Sequence, residues 1–423
     1  MPLQKLQRRL LRIPRFITKT IIDCVKHFPI TLLTGPRQIG KSTELFNSFN
    51  SKGFNYISLD DSFNLAFARK DPRSLLDLHP SPLIIDEAQK ASELFVEIER
   101  IVNESRLKRG NMESNGMYIL SGSQRKDLLD RAEESLSGRV AILDMNNLSI
   151  NEILGKDNSP FEVNLAKDSQ RSLRYTLKES QAFEYIVKGF FPVLYADPSI
   201  NISVFYSSYI TTYLGKDLRD IINIKDEFKF LNFLKLLASN TGEELVYDNY
   251  AKNIGVSINT IKSWTSVLIK TAIIYLVEPY KEESIVKRVV KRPKMYFFDT
   301  GLAAYLCGIT DAKTLQNSFL KGRFFETFVF NEIRKSFMNE GIMQTPYYYR
   351  DSEQNEVDMI LVREGKISCV EIKAGQNFNA SDTKAFKNLI NSKFVHGKNA
   401  IVCTADKISM LNDGTLLLPI SSI

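Results

Sequence analysis

Cysteine and histidine are scarce in this chain. Its 423 residues hold four cysteines (Cys24, Cys307, Cys369 and Cys403), with no CxxC pair, and three histidines (His27, His79 and His396). That inventory argues against a disulfide framework or a structural zinc site, and a reducing, cytoplasmic setting is expected. A Ser-His-Asp triad would have to draw on one of those three histidines. The uncharged stretch 198–215 is interrupted by serine, threonine and asparagine. It is too polar for the ~20 apolar residues of a membrane-spanning helix, so a soluble protein with no membrane partner is expected. Acidic residues are absent from 1–22, which carry Lys5, Arg8, Arg9, Arg12, Arg15 and Lys19. The net charge of +7 therefore sits almost wholly there, because the rest of the chain holds 50 basic and 49 acidic side chains. The arm has little serine, lacks a small-residue cleavage site and runs into an apolar strand. A basic leading helix, rather than a transit peptide, is the expectation. Hydrophobic residues at 43% and charged residues at 25% are ordinary globular usage, and the length implies two to four domains.

Against that background one motif stands out. The apolar run 30–34 leads into Gly35-Pro36-Arg37-Gln38-Ile39-Gly40-Lys41-Ser42-Thr43, the pattern G-x-x-x-x-G-K-S. Glycines let successive backbone N–H groups turn inward as an anion nest, and the helix that follows adds its positive end. Residues 35–43 are thus the candidate nucleotide-binding loop. Lys41 would reach the β- and γ-phosphates, and the Ser42 hydroxyl would hold Mg²⁺. Forty-five residues beyond Lys41, the apolar run 82–85 ends in Asp86-Glu87. Asp86 would bind Mg²⁺ through water, and Glu87 would polarise the attacking water. Three further apolar runs, 54–59, 117–122 and 139–143, alternate with helical stretches and predict a parallel sheet with helices on both faces. Ser123 and Gln124 follow one of those strands, where open α/β sheets place ligands, and are candidates to sense the γ-phosphate. Arg139 is either an arginine finger or an ordinary surface salt-bridge residue.

Gly35 to Ser42, Leu83 to Gln89, Leu120 to Gln124 and Ser135 to Arg139 together resemble a prokaryotic AAA-type ATPase family whose members carry a C-terminal domain of unknown function. The resemblance covers nearly the whole chain. It implies ATP as the nucleotide, with Mg²⁺, and a tendency to form homo-oligomers. The family's loop usually ends Lys-Thr-Thr; Ser42 supplies an equivalent hydroxyl.

Residues 151–226 read as a helical lid or spacer without evident chemistry. Residues 227–312 have apolar positions at helical spacing from Phe228 to Leu237. A helix–turn–helix pattern around Gly255 follows, then two β-prone runs flanking a basic stretch with Lys281, Lys287, Arg288, Lys291, Arg292 and Lys294. This predicts a winged helix with a basic wing. Ser257, Asn259, Thr260, Lys262 and Ser263 would face DNA, although winged helices also dock proteins. The run Phe297-Phe298-Asp299-Thr300-Gly301-Leu302 resembles a signature of the same family; nothing in the sequence says what it does.

The C-terminal stretch 313–423 holds a different constellation. A helix opening at Gly322-Arg323-Phe324-Phe325-Glu326 precedes two strands around Gly365, the second carrying Glu371 and Lys373 on one face. Asp358 and Glu371 would hold Mg²⁺, Lys373 would position or deprotonate water, and Glu326 would complete the shell. Glu326, Asp358 and Glu371-x-Lys373 resemble the restriction-endonuclease-like PD-(D/E)xK core, with Val357 in place of proline. A degenerate, non-cutting site would read the same way. The expected fold class is therefore multidomain α/β: a P-loop domain over 1–150, a helical spacer, a winged helix and a nuclease-like α/β domain. Two functions fit. One is an ATPase directed at DNA and capable of regulated cleavage; the other is an ATP-dependent signalling or interaction switch that binds a protein and cuts nothing. A helicase is disfavoured because no second motor domain is apparent.

Overall fold

The computed structural model describes residues 12–123, 128, 132, 135–172, 175–212, 227–281, 292–379, 381–389 and 394–423. Gln124, half of the basic arm (Lys5, Arg8 and Arg9) and the hairpin residues Lys287, Arg288 and Lys291 lie outside the described residues.

Five strands form the first sheet: β1 (Ile30–Thr34), β2 (Asn55–Ser58), β3 (Leu83–Asp86), β4 (Tyr118–Gly122) and β5 (Val140–Asp144). All pair in parallel, in the order β2-β3-β4-β1-β5. The apolar runs become strands because the intervening segments form helices that cover both faces. Asp61 and Asp71 cap two of these helices through their carboxylates, and Pro72 occupies a first-turn position where no N–H is needed. Ile57, Leu83 and Ile85 bury one face under helix Glu93–Arg109. Leu33, Ile84 and Ile119 bury the other. Parallel pairing brings the C-terminal ends of β1, β3 and β4 to one edge, which positions the site described below.

Beyond β5 the chain runs through helices Glu179–Lys188 and Ile202–Thr212, then helices Glu227–Ser239, Tyr247–Ile254 and Ile258–Lys270. Gly255, at φ +72°, ends the second of this trio, and the Ser257 hydroxyl caps the third. An antiparallel hairpin of β6 (Ile274–Val277) and β7 (Lys294–Phe297) follows. The last sheet contains β8 (Tyr347–Arg350), β9 (Glu356–Arg363), β10 (Lys366–Lys373), β11 (Val395–His396), β12 (Ala400–Cys403), β13 (Ser409–Met410) and β14 (Leu416–Pro419). Its path is β13-β14-β12-β10-β9-β8, with β11 paired to the start of β10. Pairing is mixed: β9 and β10 are antiparallel, while β10, β12 and β14 are parallel. Helix Lys321–Met338 packs against β10.

One buried apolar cluster runs from Ile17 through Phe191, Phe297 and Phe328 to Val370 and Ile423. Segments that read in sequence as separate modules thus share a core. No helix among the described residues is long and apolar enough to cross a membrane.

Candidate nucleotide site and a buried carboxylate cluster

The loop after β1 takes a conformation that its residue types dictate. Gly35 sits at φ +148°, and a Cβ there would come 2.2 Å from the Met145 carbonyl oxygen, so only glycine fits. Gln38 (φ +61°) and Gly40 (φ +90°) take the left-handed backbone that a nest of inward-turned N–H groups uses. Helix Lys41–Phe49 starts directly on this nest. Lys41 is buried, and its Nζ donates to the Gly35 carbonyl at 2.9 Å and the Pro36 carbonyl at 2.7 Å. Burial pushes its pKa down to about 8, against the pull of Glu87 and Asp86 and with a further push from the Arg37 charge. Half-buried Arg37 is thus a second cation at the loop, while Gln38 and Thr43 are exposed.

At the same edge the Asp86 carboxylate accepts from Ser121 Oγ at 2.5 Å and from the Tyr56 hydroxyl at 2.9 Å. Ser42 acts on the Tyr56 oxygen from nearby, so Tyr56 stands between the hydroxyl and the carboxylate expected on Mg²⁺. Glu87 occupies the left-handed region (φ +55°), a conformation that costs a non-glycine residue roughly 1–3 kcal/mol. Its Oε2 accepts from Gln89 Nε2 at 2.5 Å and Ser123 Oγ at 3.2 Å. Gly122 leaves room for that arrangement, since a Cβ there would lie 2.0 Å from Gln89 Oε1. Lys41, Ser42, Asp86, Glu87 and Ser123 are thus brought together. The hydroxyl and carboxylate oxygens of Ser42 and Asp86 are hard donors of the kind Mg²⁺ takes alongside phosphate oxygens and water, so the residues present fit the ion. Ser121 and Gln89 fall within the quoted motifs, which assign them no role, and Tyr56 carries no motif signal beyond standing on β2.

Arg139 is placed differently. It immediately precedes β5, whose Val140 pairs with Ile30 at the start of β1, so it lies at the sheet edge opposite the loop. Its guanidinium bonds Asn103 Oδ1 at 2.7 Å and the Ser137 carbonyl at 2.8 Å, and stands 3.4 Å from Glu99. The structure does not bring it to the cradle of its own chain.

The described end of the basic arm is engaged internally. Arg12 reaches buried Glu44 on the loop helix at 3.1 Å. Arg15 is buried and donates to the Ile39 carbonyl (2.8 Å), the Asn146 carbonyl (2.6 Å) and the Glu152 carboxylate (3.1 Å). It thereby ties the back of the phosphate loop to the turn after β5. Asn147, in that turn, donates to Asp299 Oδ2 at 2.8 Å. Asp299 is fully buried and also accepts from Phe190 N (2.8 Å), Leu302 N (2.8 Å) and the Tyr206 hydroxyl (2.9 Å). The close approach of Gly189 and Gly301 makes room, because a Cβ on Gly301 would lie 2.6 Å from the Gly189 Cα. The Asp299-Thr300-Gly301 run therefore caps helix Thr300–Leu306 and pins the segment around Phe190 and the β5 turn to it. Helix Lys321–Met338 grips the same region: Ile150 N donates to Glu332 at 2.7 Å, and Lys335 donates to the Leu148 carbonyl at 2.7 Å.

That helix carries Glu326 into a second polar site. Asp358 on β9 and Glu371 and Lys373 on β10 converge with it, as the spacing predicts, and Ile372 turns into the core. The Ile372 N–H donates to Asp358 Oδ2 at 2.8 Å. Lys373 bonds Glu371 Oε1 at 2.7 Å, and Glu371 Oε2 is buried without a hydrogen-bond partner. One member was misplaced by the sequence reading. Lys294, expected on a basic wing, is buried at the centre of this cluster. Its Nζ lies 3.0 Å from Glu326 Oε1 and 3.5 Å from Asp358 Oδ1, and it pairs with Glu356. The Tyr296 hydroxyl donates to the same Glu326 oxygen at 2.6 Å. Burial alone would lower the Lys294 pKa, but Glu326, Tyr296, Asp358 and Glu356 together hold it well above the ordinary lysine range. Burial likewise raises Glu371, and the charge of Asp358 raises it further. Among the described residues no group of three or more His, Cys, Asp or Glu side chains is disposed to hold a metal ion. Here the expected Mg²⁺ does not fit: an ammonium engages Glu326 and Asp358, and Glu371 offers a single free oxygen.

The parallel sheet, the glycine-bent cradle and the Asp86-Glu87 pair at its edge define an AAA-type P-loop ATPase domain. Comparison with known proteins agrees, since residues 27–154 match the model of an AAA domain. Residues 179–313 and 321–423 match two domains of unknown function, DUF8612 and DUF4143. The chain is 26% identical over 350 residues to an uncharacterized protein of Mycobacterium tuberculosis, covering 82% of this chain and 70% of that one. An uncharacterized protein of Mycobacterium bovis matches to the same extent. Among solved structures, a Walker-type ATPase of Pyrococcus abyssi aligns at 14% identity and TM-score 0.43, covering 71% of this chain and 97% of that one. The RuvB Holliday junction branch migration motor of Thermotoga maritima aligns at 13% identity and TM-score 0.30, covering 61% of this chain and 88% of that one.

Proposed function

We propose that the chain is a Mg²⁺-dependent ATP-hydrolysing switch whose nucleotide state is passed to its C-terminal half. The observation that carries this reading is the meeting of Lys41, Ser42, Asp86 and Glu87 at one sheet edge. Bound MgATP would supply the electrophilic γ-phosphorus and a divalent charge to offset that of the phosphates. The loop amides and Lys41 bind the β- and γ-phosphates. Ser42 and Asp86 would hold the metal, with Tyr56 and Ser121 orienting the carboxylate. Glu87, aimed by Gln89 and Ser123, orients the attacking water and takes its proton. The route to the rest of the chain runs from Ile39 through Arg15 to the Asn146–Asn147 turn and on to Asp299.

In this reading the C-terminal half serves a protein partner; it cuts no nucleic acid, because Lys294 already engages the acidic cluster. A second reading, ATP-regulated processing of DNA by a winged helix and a nuclease-like domain, is favoured by exposed Asn259, Lys262 and Ser263 on helix Ile258–Lys270. An ATP turnover assay with Mg²⁺ tests the first claim: Lys41→Ala and Glu87→Gln should each abolish hydrolysis, and unchanged turnover in both would overturn the site. Adding duplex or single-stranded DNA separates the two readings. Stimulated turnover or cleavage that Asp358→Ala removes would favour DNA processing.

A further inference from the structure

We infer that the Lys294 ammonium is a built-in cation occupying the divalent-metal position of the C-terminal carboxylate cluster, which it keeps closed to metal ions. Three observations converge. Glu326 from the long helix and Glu356 and Asp358 from β9 all turn an oxygen toward Lys294 Nζ, as ligands would toward an ion. Lys294 reaches them from a separate element, the first residue of β7, and its ammonium is almost wholly buried. Glu371 is also buried and aimed into the cluster, yet its Oε2 has no partner, which marks it as a donor set assembled for one more cation than Lys373 alone supplies. A compact charge at the focus of three carboxylates neutralises them as a metal would. A lysine, however, forms hydrogen bonds of about 3 Å rather than the ~2.1 Å bonds of Mg²⁺. The two cations therefore exclude each other: Mg²⁺ or Mn²⁺ enters only when Lys294 leaves. β7 runs directly into Phe298 and Asp299, so the residue that locks the cluster is five positions from the anchor of the β5 turn.

Mn²⁺ binding to the nucleotide-free full chain, counted by electron paramagnetic resonance of the unbound ion, tests this. Wild type, Asp358→Asn and Glu371→Gln should bind Mn²⁺ alike, since none offers the cluster to metal. Lys294→Ala and Lys294→Gln should each gain one site, at least tenfold tighter than any in wild type, that adding Asp358→Asn removes. Ions held near Ser42 and Asp86 are common to all variants and cancel. A wild-type site lost in Asp358→Asn or Glu371→Gln would overturn the inference, as would a folded Lys294 variant that gains no site. Should the Lys294 variants fail to fold, a wild-type Mn²⁺ site that Glu371→Gln removes would still overturn the inference.

Discussion

Replacing Asp299 by asparagine probes the link between the ATPase domain and the rest of the chain. The wild-type carboxylate takes two hydrogen bonds on each oxygen: Phe190 N–H and Asn147 Nδ2 on Oδ2, Leu302 N–H and the Tyr206 hydroxyl on Oδ1. Asparagine keeps one accepting oxygen and turns an NH₂ group toward two donors. Two bonds to a charged acceptor are then lost, each contributing about 1.5–3 kcal/mol, and buried donors are left facing one another. The expected loss is about 3–6 kcal/mol, a large share of the 5–15 kcal/mol that typically stabilises a domain. Tyr206→Phe removes only the hydroxyl that Asp299 shares with the Lys188 carbonyl and should cost about 1.5–3 kcal/mol. Equilibrium urea unfolding followed by circular dichroism measures both losses. A change below about 1 kcal/mol for Asp299→Asn would refute the role of Asp299 as a buried anchor.

Other consequences follow from the same geometry. Arg15→Met strips Glu152 of its buried counter-ion and leaves the Ile39 and Asn146 carbonyls without their donor. It should cost about 3–5 kcal/mol in the same assay and weaken ATP binding at least fivefold by calorimetry. Lys41, held near pKa 8 by burial against an ordinary 10.5, binds fewer protons folded than unfolded between those values. Stability of the nucleotide-free chain should therefore gain from this group as pH rises from 8 to 10.5, and that gain is absent below 8. Since a triphosphate favours the ammonium, ATP binding near pH 9 should take up close to one proton, read from calorimetry in two buffers of different ionisation heat. Arg139→Ala should leave ATP turnover within twofold if the residue serves only Asn103 and Glu99; a tenfold loss would place it at the nucleotide of a neighbouring copy.

The first sheet was legible because each strand is an apolar run bounded by turn or loop residues, and because helical stretches between runs leave little but parallel pairing. Asp86 and Glu87 were legible for a related reason: β3 ends where its apolar residues end. That Glu371 and Lys373 share a face followed from the two-residue period that strands impose, while Glu326 and Asp358 joined them through the resemblance to a nuclease-like core. Lys294 was not legible. A lysine amid a basic run reads as solvated or phosphate-facing, and the carboxylates that claim it come from a helix and a strand far along the chain. Arg15 was obscured for a different reason, since two of its acceptors are main-chain carbonyls, which no side-chain pattern announces. Arg139 was placed by its order after the loop motifs, but order does not say which edge of the sheet a residue occupies. Residues 151–226 appeared to lack chemistry, and their part is carried by the Phe190 N–H and the Tyr206 hydroxyl at Asp299.

The central claim is that one cradle binds the triphosphate while Glu87 drives its hydrolysis, and separating binding from turnover tests it most directly. Single-turnover hydrolysis of radiolabelled ATP with Mg²⁺, measured with nucleotide binding on the same samples, should show Glu87→Gln binding ATP as tightly as wild type but converting it at least a hundredfold more slowly. Hydrolysis at the wild-type rate by Glu87→Gln, with binding intact, would contradict the account.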